Sequence, residues 1–419
     1  MIEAVIERCA GIDVGRKFVV ACVMVGEANA APRHEIRKFL TVNADLVRLR
    51  EWLHENRCTH VAMESTGSYW KPIFHVLDDG KIRVILANSQ QVKNLRGHKT
   101  DRNDSRWLAH LLRHDMIRPS FIPPREVREL RDLTRRRKQL VGNAAEERNR
   151  VHRVLQEANV QLGAILSDLF GASGLDMLDV LIHQNATASE IAQLARKQAR
   201  KKIPQIQAAI EGHQLTDHHR GLITRSMRHL AFLEDEIADL DREIAARVEG
   251  GPLETAVKLV ASIPGIQQTA AAAIVAETGA DMNQFPTAGQ LASWIGVCPG
   301  NNESAGKRKT GRTTKGNPWA RRTLVECAWS ASRKKESASQ QLYNRLKPRI
   351  QHKRALVALA HWIALQIHDV LRTGQPYAEA TRLTPGQAVR LARHHTRRLK
   401  HLRKWLADSQ VKELAAVTA

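Results

Sequence analysis

Asp13 closes an apolar run in GIDVG, Glu64 closes another in AMES, and Asp101 and Asp104 stand three residues apart in HKTDRNDS. A residue at a strand end projects over the sheet edge, and an i, i+3 pair presents both side chains on one helix face. Four carboxylates converging there would raise one another's pKa unless divalent cations neutralised them. Two hard cations held by carboxylate oxygens about 3.5 to 4 Å apart polarise a phosphodiester and stabilise its attacking and leaving oxygens. The order of these acids along the chain therefore predicts a site of Asp13, Glu64, Asp101 and Asp104 that takes Mg2+. A local reading competes at each position. Thr100 would cap a helix whose first turn favours Asp101 and Asp104, while Asp13 and Glu64 would open turns.

A second concentration of chemistry lies at 301–322, NNESAGKRKTGRTTKGNPWARR. Here Lys307, Arg308, Lys309, Arg312, Lys315, Arg321 and Arg322 stand against one acid, Glu303. Gly306, Gly311 and Gly316 alternate with Ser304, Thr310, Thr313 and Thr314, a composition suited to a basic loop that wraps a nucleic-acid backbone. Neutralising about six phosphates would cost on the order of a thousandfold in affinity between 50 and 200 mM salt. By composition Ser304 is one loop serine among several and the charge run could be a solvated face, but basic neighbours would equally hold a scissile phosphate in line for the Ser304 hydroxyl. The stretch is no Walker A motif, since five residues separate Gly300 from Gly306 and Arg308 follows Lys307. Neither G-x-S-x-G nor H-E-x-x-H occurs, which leaves hydrolase and zincin readings without support. Upstream, Ile263-Pro264-Gly265-Ile266 between two helical stretches reads as a helix-hairpin-helix-like element, in which Gly265 lets backbone N–H groups approach a phosphate. An αα-corner packed through the small residues Ala270 to Ala273 is the competing reading.

These residues need a scaffold. From residue 4 to about 118 the pattern alternates between periods of two and 3.6, the mark of an α/β domain. CAGIDV and KFVVACVMV predict a hairpin turning near Gly15, HEIRKFLTV a third strand and ADLVRLREWLHENR a helix. THVAMES, GSYWKPIFHVLDDG, KIRVILAN and TDRNDSRWLAHLLRHD continue as strand, helix, strand and helix. The order βββαβαβα suits a ribonuclease-H-like sheet. Pro119, Pro123 and Pro124 then end the alternation. The expected organisation is an α/β domain at 1–118, a helical coiled-coil region at 119–250, a mostly helical domain at 251–379 and a basic tail at 380–419. In the second region Leu230, Leu233, Ile237, Leu240 and Ile244 follow 3,4,3,4 spacing, a seam open to an intramolecular hairpin or to an oligomer contact.

Composition limits the function classes. The chain's 65 Lys and Arg against 43 Asp and Glu leave a formal +22 over 419 residues, which suits a polyanionic partner. At 43% hydrophobic and 26% charged, disorder throughout is excluded, and the length allows roughly two or three domains with cores. Five cysteines without a C-x-x-C pair argue against a zinc ribbon, a thioredoxin-like motif and a disulfide scaffold, and point to a reducing compartment. No apolar run approaches the ~20 residues that span a bilayer, and MIEAVIERCAGID lacks a signal peptide's order. The expectation is a soluble, cytoplasmic, nucleoid-associated protein that makes no membrane contact.

GIDVG, AMESTGSYW, HKTDRNDS, SIPGI, ASWIGVCPGNNESAGKRKTGRTTKGNPWARR and LRTGQPY together resemble the DEDD transposases of bacterial insertion sequences, relatives of the Piv invertase described as bridge-RNA-guided recombinases. The resemblance spans most of the chain. It implies a RuvC-like domain joined by a coiled coil to a transposase domain, with Asp13, Glu64, Asp101 and Asp104 as the acidic tetrad and magnesium as its metal. It also implies Ser304 as a nucleophile linked covalently to DNA, in a site where one subunit's carboxylates meet another's serine. Many members have Ser-Gly where this chain has Ser304-Ala305-Gly306. Donor and target DNA, a structured bridge RNA and a homodimer or homotetramer are the implied partners. Two other classes stay open on the residues alone: a metal-dependent, structure-selective nuclease of the Holliday-junction-resolvase kind, and a nucleic-acid-binding coiled-coil protein without catalysis.

Overall fold

The computed structural model describes residues 5–28, 30–64, 67–87, 101–117, 119–184, 186–300, 302–304, 307–310, 313 and 315–378, with backbone alone at 101–103, 302–304 and 307–310. The basic tail expected at 380–419 lies outside the described residues. The chain divides into two compact units, Met1–Pro123 and Pro124–Ala419.

The first unit is a six-stranded mixed sheet with helices on both faces. Strands β1 (Arg8–Val14) and β2 (Phe18–Val25) are buried over most of their length because both sides are covered. β3 (Arg33–Leu40), at the edge, is largely exposed. Then come α1 (Asn43–Glu55), β4 (His60–Glu64), α2 (Trp70–Leu77), β5 (Arg83–Ala87), α3 (Asp101–Arg113) and β6 (Pro119–Ser120). The order across the sheet is β3-β2-β1-β4-β5-β6. β1 pairs antiparallel with β2 and parallel with β4, and β4 runs parallel to β5. All eight elements expected from the alternation are present. The two-residue β6, antiparallel to β5, is added by a segment too short to show a period.

Strand alternation sorts the core into two layers. Ala10, Ile12, Val61 and Met63 pack with Leu46, Leu49, Leu53, Ile73 and Leu77 of α1 and α2. Cys9, Ala62, Ile85 and Ala87 turn the other way, onto Leu108, Ala109, Leu111 and Leu112 of α3.

In the second unit two long helices, α4 (Arg125–Glu157) and α9 (Asp217–Val248), pack against each other. Leu230 and Leu233 are buried against Leu140 and Ala144, with Ile237 and Leu240 beside them. Ion pairs Arg137–Asp241, Arg148–Glu234 and Arg247–Glu129 flank this seam. The heptad residues are thus covered within the chain, by α4. Between the long helices lie α5 (Leu162–Ile165), α6 (Ala172–His183), α7 (Ala188–Gln193), a 3-10 turn and α8 (Ile203–Ala208), around their own core of Leu155, Leu178, Ile206 and Ile223.

The remainder is helical, with α10 (Glu254–Ala261), α11 (Gln268–Thr278), α12 (Ala288–Ile295), α13 (Pro318–Ala331), α14 (Ala338–Ile350) and α15 (His352–Thr373). Ala355, Leu359, Ala360, Ile363, Ala364 and Ile367 of α15 are fully buried in its core. Part of the stretch expected as a basic loop is instead a hairpin, β7 (Asn302–Ser304) with β8 (Lys307–Thr310). The register pairs Ser304 with Lys307 and Glu303 with Arg308.

Candidate functional site

The register of β1 on β4 aligns Ile12 with Met63, so Asp13 and Glu64 are the next residues along two parallel neighbours. They stand side by side at the same sheet edge. Ile12 and Met63 face α1 and α2, so the alternation turns Asp13 and Glu64 to the opposite face, the one covered by α3. Gly11 lets that helix lie close. A Cβ at Gly11 would collide with the Ser105 carbonyl oxygen and the Ala109 amide, and would lie 2.8 Å from Leu108 Cβ. The Cys9 thiol sits 3.5 Å from the Ala109 carbonyl oxygen. Since Cys9 and Gly11 successively meet later and earlier parts of α3, the helix runs antiparallel to β1. Its first turn, with Asp101 and Asp104, therefore lies toward the strand end that carries Asp13.

Asp13, Glu64 and Asp104 are each partly buried. The Asp101 side chain lies outside the described residues. Carboxylate oxygens are the donor set that hard divalent cations prefer, and in that chemical sense these residues fit magnesium. Among the described residues no group of three His, Cys, Asp or Glu side chains is gathered tightly enough to hold a metal ion.

Arg113, at the far end of α3, is a residue that spacing did not single out. Its guanidinium is 1% exposed and donates to the carbonyl oxygens of Ile6, Glu7, Gly26, Glu27 and Ala30 at 2.7 to 3.4 Å. It ties α3 to the ends of β1 and β2. The available signal was a base directly after the buried pair Leu111-Leu112. The buried thiols are inert by contrast: desolvation raises Cys9, Cys58 and Cys327 to about 12 and Cys22 to about 11, so none supplies a thiolate near neutrality.

In the second unit the base of the Ser304 hairpin is clamped at both ends. Pro299 bridges Thr313. Gly316 packs against the backbone of Ile295 and Gly296 where a Cβ has no room, and the Asn317 amide donates to the Trp294 carbonyl oxygen at 3.0 Å. Asn317 then caps α13, its Oδ1 accepting from the Trp319 and Ala320 amides. Its Nδ2 donates to Glu277 Oε2 at 2.6 Å. Glu277, 3% exposed, also receives both arms of Arg135 and lies 3.6 Å from the Arg131 guanidinium. Neither Glu277 nor Arg135 stood out in the sequence, although Asn317-Pro318 carries a helix-start signature.

Lys315 and Arg322 are exposed and Arg321 is partly buried. The side chains of Ser304, Lys307, Arg308 and Lys309, and Arg312 altogether, lie outside the described residues. Gly265 has φ +89, and the space a Cβ would take is occupied by Ala331, whose own Cβ would be 2.5 Å away. With Ile263 and Pro264 buried, the Pro264-Gly265 corner packs on α13 in the manner of the αα-corner reading.

Comparison with known proteins agrees with these two regions. Residues 10–160 match the family model for IS110-type DEDD transposases, described as "Transposase", and residues 257–344 match "Transposase IS116/IS110/IS902 family". Together the matches take in more than half of the chain. The chain is 26% identical over 269 residues to a "Probable family 20 transposase" of Pseudomonas aeruginosa, covering 63% of this chain and 68% of that one. It is 27% identical over 314 residues to "Insertion element IS900 uncharacterized 42 kDa protein" of Mycobacterium paratuberculosis, covering 67% and 75%. Two family matches, one over the sheet unit and the long helix α4 and the other over the hairpin-bearing helical region, make this chain a DNA transposase of the IS116/IS110/IS902 family.

Proposed function

We propose that the chain cuts and rejoins DNA to mobilise an insertion sequence, with Asp13, Glu64, Asp101 and Asp104 as a metal-holding tetrad and Ser304 as the nucleophile. The observation that carries this reading is the side-by-side placement of Asp13 and Glu64 on one sheet edge, under the end of α3 that begins with Asp101. A first unit in which three antiparallel strands lead into parallel ones supports the ribonuclease-H-like reading.

Bound magnesium would neutralise charge that develops on the phosphate as it is attacked. The chain's residues do the rest. The Ser304 hydroxyl loses its proton and its oxygen bonds to phosphorus, while the bond to the 3′-oxygen breaks and that oxygen leaves as a hydroxyl. Reversal of the same step by a new 3′-hydroxyl reseals the strand and releases the serine. Lys307, Arg308, Lys309, Arg312, Lys315, Arg321 and Arg322 would meet backbone phosphates around the hairpin. We propose further, on the family membership, that donor and target DNA are paired by a structured bridge RNA, that the working species is a homodimer or homotetramer, and that it acts in the cytoplasm at the nucleoid. Among the described residues no helix is long and apolar enough to cross a membrane.

The test is a covalent protein–DNA adduct, trapped by denaturation during cleavage of a labelled element end in Mg2+. It should form with the wild type and vanish in Ser304→Ala and in Asp13→Asn. Nicking that persists without an adduct in Ser304→Ala would replace the serine with water, as in a junction-resolving nuclease. RNA sequenced from the purified protein should derive from non-coding DNA beside its gene.

A further inference from the structure

Trp329 is 45% exposed near the end of α13, in a part of the second unit that the cleavage chemistry does not use. The Arg333 guanidinium lies 5.0 Å from the indole centroid, and the His352 ring meets the indole edge to face at 5.3 Å and 89°. His352 is itself held by the Tyr343 hydroxyl. The indole is therefore braced, with the Arg333 cation already over one of its faces. Lys334 follows Arg333, and Lys353 and Arg354 follow His352; all are exposed, and among the described residues none is in an ion pair. The acid one turn earlier, Glu326, is engaged by Lys138.

A large exposed aromatic ring fixed among unneutralised cations matches the two halves of a nucleotide. Bases stack on aromatic faces and on guanidinium planes, while phosphates need cations. A protein partner with an apolar knob would leave those cations unpaired, and a duplex keeps its base faces covered. We propose that Trp329 is a stacking platform for an unpaired base of a single DNA strand, with Arg333, Lys334, Lys353 and Arg354 meeting the flanking phosphates. The proposal rests on this chain handling DNA but on no part of the tetrad or serine chemistry. It concerns a strand that has left its duplex, which strand exchange produces.

Binding is measured with the full chain in EDTA, so that loss of cleavage and loss of stacking are separable. The probes are a mixed-sequence single-stranded DNA of roughly 16 nucleotides, its duplex, and an RNA strand of the same sequence. Trp329→Leu should weaken single-stranded DNA binding about tenfold, Trp329→Phe should stay within about twofold of wild type, and duplex affinity should hold in both. An iodouracil-bearing DNA strand irradiated on the wild-type protein should crosslink to the peptide containing Trp329, a readout independent of how the variants fold. Unchanged single-strand affinity in Trp329→Leu overturns the platform. So does equal loss on duplex, loss on the RNA strand alone, or a crosslink that maps elsewhere.

Discussion

Arg135 grips Glu277 with both arms of its guanidinium, Nε to Oε1 at 2.6 Å and Nη2 to Oε2 at 2.8 Å, 142 positions apart in the chain. The same carboxylate accepts from Asn317, so the long helix α4 is coupled to the base of the Ser304 hairpin through one buried acid. A fork on a carboxylate fixes orientation as well as distance. Glu277→Ala would leave Arg131, Arg135 and Asn317 without their shared acceptor, and should cost about 3 to 5 kcal/mol in urea unfolding. Hydrogen exchange at the Trp319 and Ala320 amides should accelerate with it, because their cap is held by the same acid. Unchanged protection there would show that the cap stands without Glu277.

Gly11 predicts a different kind of failure. The atoms that a Cβ would strike are backbone, Ser105 O and Ala109 N, which cannot rotate aside. Gly11→Ala should therefore lose about 1 to 3 kcal/mol by thermal unfolding, as overpacked cores do. A second change, Leu108→Ala, should restore none of it, since alanine keeps the Cβ that lies 2.8 Å away and leaves both backbone clashes in place. Recovery in the double variant would contradict the close approach of α3 to β1.

Arg113 is a buried cation whose guanidinium donates to five backbone carbonyl oxygens. Arg113→Met would strip five carbonyls of a donor and should cost about 3 kcal/mol or more, whereas Arg113→Lys keeps the charge, loses the fork and should cost less. Denaturant midpoints of the three proteins should fall in the order Arg, Lys, Met.

His361 gives the stability a pH slope. Burial lowers its pKa from 6.5, and its buried Nε2 has no hydrogen-bond partner among the described residues. The folded state therefore binds the proton less readily than the unfolded chain. Its contribution is complete above the unfolded value of 6.5 and is lost as pH falls below it toward the depressed folded value. His361→Phe should flatten the decline in urea midpoint between about pH 7.5 and 5.5. A slope equal to that of the wild type would assign the acid sensitivity elsewhere.

Much of the first unit was legible because its strands are buried on alternating faces and its helices on one stripe, and both periods survive in the residue types. CAGIDV, KFVVACVMV and THVAMES all formed the strands expected of them. The 3,4,3,4 spacing of Leu230 to Ile244 announced a packed stripe, yet both an intramolecular and an intermolecular partner satisfied it. The Gly-rich stretch at 301–322 reads as loop because its glycine content masks the short pairing-competent run Lys307–Thr310, which pairs with Asn302–Ser304.

By itself, then, the chain's sequence determined the order and kind of its early elements, its strongly positive net charge, and the positions of the carboxylates along the chain. Tertiary structure alone decided that Asp13 and Glu64 are neighbours on the α3 side of the sheet, that α4 covers the Leu230 seam, and that Glu277 joins α4 to Asn317. The reason is physical. Periodicity records how much of a residue is buried, which each segment settles locally. What a residue is buried against depends on strand register and helix crossing, set by contacts between segments far apart in the chain.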